Sequence, residues 1–305
     1  MLNLHRLQLF HEFRLRGTIS AVATSLGYSP STVSQQLTLL EDEVGVALFH
    51  RGGRTLRLTT AGLRLAEHAQ TMLDLQEEAL RSLTSAEPEV GGLLRLSVFQ
   101  TVALTLVPAA LSQLRAQHPE LRVEIVQAPP ERALFDLQAR RHDLVVAEQY
   151  PGMSRPRQAE FDIEPLGTDS LRLVVPQQLA GIDAEDLDAY PWVMEPAGTV
   201  AREWSLQQCR ALGFEPDVRF TTDDLASQLK LISAGLAVGI LPELFLTGHR
   251  LDSVALRPLP QNPERSIFTT ARRSSVQAPA VHACRQSLAE AFKQFSRKSW
   301  RHDSP

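Results

Sequence analysis

Residues Thr18 to Glu43 read TISAVATSLGYSPSTVSQQLTLLEDE, and their apolar spacing sets two short helices on either side of a turn. Thr18 suits an N-cap, and Ile19, Val22, Ala23 and Leu26 then share one helical face. Gly27 ends that helix, because a residue without a Cβ takes the left-handed conformation a tight turn needs. Tyr28-Ser29-Pro30 restarts the chain: Ser29 can accept from the first free N–H groups, and proline suits the first helical position. In the second helix Val33, Leu37, Leu40 and Val44 recur at four-, three- and four-residue steps, a stripe that faces a core. Ser31, Ser34, Gln35 and Thr38 fall on another face, uncharged and able to hydrogen-bond. Hydroxyls and amides just inside a capped helix start are what base edges in a major groove require. Solvated capping accounts for the same residues, so the helix pair by itself leaves both readings open.

The next stretch favours the first. Leu48-Phe49 leads into His50-Arg51-Gly52-Gly53-Arg54-Thr55-Leu56-Arg57-Leu58, two extended arms around a Gly-Gly turn with three arginines. That is a wing, able to set guanidinium groups against phosphates, which fix register without reading sequence. Residues 1–58 carry six arginines against Glu12, Glu41, Asp42 and Glu43, a local surplus of two, in a chain whose net charge is −4. DNA contact by a few placed arginines fits that balance better than a polybasic surface does.

Upstream, Leu4, Leu7, Phe10, Phe13 and Leu15 predict a first amphipathic helix ending near Gly17. Downstream, Thr59 or Thr60 caps a long helix from Ala61 to Ala86, about 39 Å at the usual rise per residue. Leu65, Ala66, Ala69, Met72, Leu73, Ala79, Leu80 and Leu83 recur along it near a 3.5-residue period, interrupted by Gln76. A copy from a second chain is the economical cover for such a stripe, which predicts a symmetric dimer. Glu87-Pro88-Glu89-Val90-Gly91-Gly92 reads as a hinge.

Beyond it the texture changes. Leu93–Val98, Leu121–Gln127, Leu144–Ala147, Leu171–Val175, Val218–Thr221 and Val238–Leu241 read as strands. Leu104–Gln117, Glu131–Arg141, Thr199–Leu212, Asp224–Ala234 and Ala278 to about Phe295 read as helices, followed by a basic tail from Lys293 to Arg301. Such alternation predicts mostly parallel sheets with helices on both faces, an α/β fold.

At 305 residues the chain is long enough for two or three domains. Its 43% hydrophobic and 22% charged content is that of a soluble globular protein. Cys209 and Cys284 are too few and too far apart for a disulfide framework; reduced cytoplasmic thiols are expected, with a redox pair as the alternative. The start MLNLHRLQLFHEF is too polar for a signal peptide. The most apolar stretch, Leu231 to Leu246, is short and broken by Ser233, Pro242 and Glu243, so no bilayer span is expected.

Residues 2–70 resemble the winged helix–turn–helix of the LysR-type transcriptional regulators. The resemblance rests on Leu7 and Phe10, Gly17-Thr18, Ala21-Val22-Ala23, Leu26, Ser29, Ser34-Gln35-Gln36-Leu37, Leu40-Glu41, Gly45-Val46, Leu48-Phe49, Arg51 and Leu58-Thr59-Thr60-Ala61-Gly62. Leu106-Val107-Pro108, Phe214-Glu215-Pro216, Ala234 to Gly239 and Leu241-Pro242 are similar to landmarks of that family's effector domain.

The resemblance implies a DNA-binding domain over 1–59, a dimerisation helix over 60–87 and an effector domain over 88–305. The last would hold two Rossmann-like subdomains, as in periplasmic solute-binding proteins, about 93–165 with 266–295 and about 166–265. The chain would cross between them near Pro165–Thr168 and near Asn262–Ser266. It also implies homodimers pairing into tetramers on bent double-stranded promoter DNA, a small inducer that adjusts the bend, RNA polymerase as a further partner, and no cofactor or metal. Base-contacting positions fall on Pro30, Ser31, Ser34 and Gln35, and backbone-contacting ones on Thr18, Thr32, and Arg51 or Arg54. Many relatives carry Gln at the position of Pro30 and a long basic residue at that of Gln35. Gln35 suits adenine N6 and N7 rather than guanine, so the preferred half-site should differ.

In such an architecture ligands sit where strand ends meet helix starts. The corners are Ser97 to Thr101, Pro196 to Thr199 and Thr221 to Asp223, which nominates Gln100, Thr101, Gly198, Thr199 and Thr222 as polar contacts. Ordinary capping accounts for Thr199, Thr222 and Asp223 equally well. Glu148 and Glu195 stand beside these corners; if both face the cleft they repel a purely anionic effector. An amino acid, its carboxylate at a helix start and its ammonium at Glu148, suits the site better than a plain small carboxylate. Enzyme signatures are missing from the sequence: Gly235 and Gly239 do not make G-x-G-x-x-G, Ser31 breaks a G-x-S-x-G at Gly27, and no histidines pair at ligand spacing. The other class of function that fits is a cytoplasmic solute-binding or signalling protein with a degenerate DNA-binding domain.

Overall fold

The computed structural model describes residues 1–52, 55–84, 90–153 and 159–299. The chain divides into two compact units, residues 1–88 with 138–141, and residues 89–137 with 142–305.

In the first unit α1 (Leu4–Arg16) starts at Asn3, whose side chain accepts from the His5 and Arg6 N–H groups, and stops at Gly17. Thr18 caps α2 (Ile19–Leu26) by accepting from Ala21 N–H, and Gly27 closes it at φ +70°. Ser29 caps α3 (Pro30–Val44) by accepting from Thr32 N–H. Leu7, Phe10, Phe13, Val22, Val33, Leu37 and Leu40 meet in one core. Phe49 adds its ring edge-on to Phe10 and Phe13, at centroid distances of 5.7 and 5.1 Å. Strands β1 (Phe49–Gly52) and β2 (Thr55–Leu58) pair antiparallel as the wing. Glu41 Oε1 accepts the N–H groups of Leu48 and Phe49 at 2.7 and 3.1 Å, which ties the end of α3 to the wing.

Thr59 caps α4 (Thr60–Thr84), its hydroxyl accepting from Gly62 N–H at 3.0 Å. A Cβ at Gly62 would overlap the Leu48 carbonyl oxygen, so only glycine lets the helix start this close to the wing. The stripe expected along this helix is divided between two tasks. Leu65, Ala66 and Ala69 pack into the unit's own core and Leu73 is buried, whereas Met72 and Leu80 are exposed, as is Leu75 outside the stripe. The hinge read at Glu87-Pro88-Glu89 and the tail end at Arg301 lie outside the described residues.

The second unit runs β3 (Gly92–Val98), α5 (Gln100–Thr105), α6 (Val107–Gln117), β4 (Leu121–Gln127), α7 (Pro130–Gln138), β5 (Leu144–Gln149) and β6 (Phe161–Pro176). It continues with β7 (Pro191–Met194), α8 (Val200–Ala211), β8 (Asp217–Thr221), α9 (Leu225–Ser233) and β9 (Gly239–Pro242). Then come α10 (Glu243–Leu246), β10 (Val254–Pro258), β11 (Glu264–Arg272) and α11 (Pro279–Ser299). The helix expected from Leu104 is two helices. Pro108 has no N–H to continue the ladder, and the chain breaks at Leu106.

The sheet is mixed, which corrects the expectation of mostly parallel strands. β3 lies parallel to β4 and β5, and β7 parallel to β8, but every pairing of β6 or β11 is antiparallel. The reason is connectivity. β6 pairs with β11 from Phe161 to Ser170, then with β9 and β10 from Leu171 to Pro176. It carries the chain from one half of the unit into the other, and β11 brings it back. The crossings near Pro165 and Arg265 are therefore made by strands.

Each half buries a core on both faces of its strands. Along β5, Leu144 and Val146 point into one cluster while Val145 and Ala147 point into another. Along β6, Leu171, Leu173 and Val175 join Trp192 and Trp204, and Val174 faces the opposite cluster with Leu229 and Phe245. This period-2 alternation with apolar residues on both sides marks strands covered by helices above and below.

Candidate functional site

Two surfaces carry the polar residues picked out in the sequence. On the first, Thr18, Pro30, Ser31, Thr32, Ser34, Gln35 and Thr38 are all exposed. The Ser29 hydroxyl lies 2.7 Å from that of Ser31 and 2.8 Å from that of Thr32, so three hydroxyls cluster at the start of α3. The neighbouring glutamines part company. Gln36 turns back to accept from Arg6 Nε at 3.0 Å, leaving Gln35 as the outward amide. In the wing His50 and Arg57 are exposed; Arg51 is described only in its backbone, and Arg54 lies outside the described residues.

The second surface is a cavity of about 400 Å³ lined from both halves of the second unit. Gln100, Thr101, Glu148 and Thr199 line it; Gly198 and Thr222 do not. Gly198 is exposed on the turn before α8. Thr222 serves the next turn: its hydroxyl accepts from Asp224 N–H at 3.1 Å and its carbonyl from Gln228 Nε2 at 2.8 Å. Thr222 thus shapes the turn that leads to Asp224, the cap of α9.

Gln100 and Thr101 are already engaged. Gln100 Nε2 donates to Asp224 Oδ1, and its Oε1 accepts from Leu225 N–H, so its amide spans from α5 to the start of α9. Thr101 Oγ1 accepts from Arg265 Nη2 at 3.0 Å. Arg265 is the residue that sequence reasoning missed, since the segment around it read as a connection. It is buried on β11, donates to Asp169 from Nε at 2.9 Å and Nη2 at 2.7 Å, and pairs through Nη1 with Glu148. The Phe99 ring lies 5.2 Å from its guanidinium carbon. Burial works against the charge, but the Glu148 and Asp169 carboxylates more than offset it and raise the pKa of Arg265 further. The alternation Arg265, Ile267, Thr269 into the interior was the available signal.

Glu195 lines the same cavity, on the turn after β7. Burial, then the Glu148 charge, pushes its carboxyl up to about 7, against the opposing hydrogen bond from Thr199 and the charge of Arg265. Phe99, Tyr150, Met194 and Trp204 supply apolar wall. The arrangement can enclose a small molecule with an apolar body and a polar end.

The cysteines take no part. Cys209 and Cys284 are buried in different cores, and burial holds each thiol up at about 12. Neither is a thiolate near neutrality, which disfavours the redox-pair alternative.

Both parts of the chain match known families. Residues 4–63 match the family described as "Bacterial regulatory helix-turn-helix protein, lysR family", and residues 88–293 match the "LysR substrate binding domain". Among similar proteins is the "Probable HTH-type transcriptional regulator LrrA" of Synechococcus elongatus, 27% identical over 92% of this chain and 95% of its own. Another is the "Hydrogen peroxide-inducible genes activator" of Dickeya chrysanthemi, 28% identical over 83% of this chain and 84% of its own. Among solved structures, a full-length OxyR variant from Pseudomonas aeruginosa shares the fold at a TM-score of 0.66, with 20% identity over 96% of this chain and 95% of that one. Full-length CbnR complexed with its target DNA shares it at 0.53, with 23% identity over 95% of this chain and all of that one. With a helix–turn–helix at one end and a two-lobed cleft at the other, both matched, the chain belongs to the LysR family of bacterial transcriptional regulators, DNA-binding proteins with a C-terminal effector-binding domain.

Proposed function

We propose that the protein reads promoter DNA through Pro30, Ser31, Ser34 and Gln35, with Thr18, Thr32, Arg51 and Arg54 on the phosphates. One observation carries this: the outward face of α3 offers hydroxyls and a single free-facing amide, neither charged nor apolar, beside a capped helix start. The exposed Met72, Leu75 and Leu80 along α4 support a homodimer built on that helix, and pairs of dimers a tetramer on the promoter. RNA polymerase is the further partner such a complex would meet at a promoter.

The cleft beside Gln100, Thr101, Glu148 and Thr199 is the seat of a small effector, an amino acid or another small carboxylate, that adjusts DNA binding. Its support is the enclosed volume with apolar walls and few polar groups. No described helix is long and apolar enough to cross a membrane, and no described cluster of His, Cys, Asp and Glu would hold a metal ion. A cytoplasmic site of action belongs to the same proposal.

The test is fluorescence anisotropy of the full-length protein on the DNA upstream of its own gene, across a salt series. Saturable binding that survives competitor DNA and weakens with salt is the expected result. If selection of bound fragments from the whole genome enriches no site, the DNA-reading assignment fails and a solute-binding role takes its place.

A further inference from the structure

Among the described residues the cleft walls carry Glu131, Glu148, Glu195, Asp223 and Asp224 against a single cation, Arg265. That cation lines the cavity with its donors already engaged. Its donors go to Asp169, Glu148 and Thr101, so its one charge already lies between two carboxylates. A ligand carboxylate would meet no free guanidinium there and several acids. Asp224 is committed as the cap of α9, accepting from Ala226 and Ser227 N–H groups and from Gln100. Arg202, on α8, donates to the main-chain carbonyl of Glu195 at 3.1 Å and to Thr221. The Glu195 carboxyl is therefore faced by Glu148 from β5, Asp223 from the turn before α9, Thr199 from the cap of α8 and Arg265 from β11. Glu148 already shares Arg265 with Asp169, so the charge of Glu195 in the same cavity is offset only in part, which favours either a proton on it or an external cation beside it.

We propose that the cleft holds its effector by a cationic group, an ammonium on a small apolar body seated between Glu148 and Glu195. The inference rests on the cleft being the effector site of the regulator, and it selects the ammonium as the group recognised. Phe99, Met194 and Trp204 enclose the apolar body. The balance is simple: the ammonium enters charged, Glu195 enters protonated and leaves its proton to solvent, and the complex holds an ion pair. Because burial and the Glu148 charge hold that carboxyl up at about 7, occupancy responds to pH near neutrality. The same geometry excludes dicarboxylates.

Calorimetry on the full-length protein tests this with three matched sets: the proteinogenic L-amino acids, the amines left by removing their carboxylate, and the acids left by removing their amino group. Binding confined to the ammonium-bearing sets is expected. Tight binding of the deaminated acids, or silence from both ammonium-bearing sets, overturns the proposal. Promoter binding by the same preparations keeps the two readings apart: DNA binding that answers to the acids leaves the regulator intact and removes only the ammonium. For the tightest ligand, Kd should rise about tenfold per pH unit below about pH 7 and level off above it. Glu195→Gln should bind more weakly and without that slope. The unmodified protein supplies a check that needs no variant. Near pH 6, heats measured in buffers of different ionisation enthalpy should give close to one proton released per ligand bound. No release, together with a pH-independent Kd, overturns the competition.

Discussion

Gln100 and Asp224 meet across the mouth of the cleft, Nε2 donating to Oδ1 at 2.7 Å while Gln100 Oε1 accepts from Leu225 N–H at 3.0 Å. Asp224 alone would cap α9; with Gln100 a further free donor of that helix end is satisfied by a residue from the other half of the unit. Gln100→Ala should lower unfolding stability by about 1–2 kcal/mol, the net worth of two such bonds. It should also speed amide hydrogen exchange at Leu225 more than at sites elsewhere in the unit. Gln100→Glu keeps the acceptor but faces Asp224 with a like charge, and should do no better. Unchanged exchange at Leu225 in both variants would show that the bridge holds nothing.

Arg265 is the element on which the cleft floor depends. Arg265→Met leaves Glu148 and Asp169 buried without their shared cation, and should destabilise the protein by about 3–5 kcal/mol in urea. Adding Glu148→Gln and Asp169→Asn to that variant should recover part of the loss, because neutral amides no longer repel. A triple variant no more stable than the single one would mean that the guanidinium acts by packing rather than by charge.

The helix–turn–helix was legible because each of its rules is local. Thr18, Ser29, Pro30 and the glycines set the caps within three or four residues of themselves, and the stripe of α3 needs only a count. The cleft was legible at its corners for the same reason, which is how Gln100, Thr101, Glu148 and Thr199 came to be chosen. Arg265 was not, since its partners Asp169, Glu148 and Thr101 lie 96, 117 and 164 residues away in sequence. The same distance hid the sheet's polarity: nothing local to Phe161–Pro176 states that its partner is β11 running the other way. Thr222 and Gly198 sit at the same kind of corner but outside the cavity lining, because a local rule for turns and caps does not say which way the corner faces.

The outward amide of α3 makes a discriminating test of DNA reading. Gln35→Ala should remove about 1–3 kcal/mol of preference at one base pair per half-site while leaving the salt slope as it was. Arg51→Ala should weaken all sequences alike and lower the slope by about one unit. Competition assays against single-base variants of the selected site separate the two. Equal loss on every sequence for Gln35→Ala would move that residue from the bases to the backbone.

Buried thiols at about 12 predict chemical silence. Cys209 and Cys284 should not react with a thiol reagent or with dilute peroxide in the folded protein, and both should react on unfolding. Cys209→Ser with Cys284→Ala should leave DNA binding unaltered under oxidation. A peroxide-dependent change in DNA binding that this double variant abolishes would restore a redox role.

Stability should carry the mark of Glu195 even with the cleft empty. Its carboxyl goes from about 4.5 in a chain without structure to about 7 in the fold, raised by burial and by Glu148. Between those values the folded state holds a proton that the unfolded state releases, so stability falls as pH rises from about 4.5 to about 7 and is level beyond. At about 1.4 kcal/mol per unit the full swing is at most about 3.5 kcal/mol. Glu195→Gln cannot ionise and lacks this term. The stability of the variant minus that of the unmodified protein should therefore grow with pH across that window, other titrations cancelling in the difference. A difference flat from acid to neutral pH would show that the Glu195 carboxyl is ordinary in the fold, and that its proximity to Glu148 is relieved by solvent.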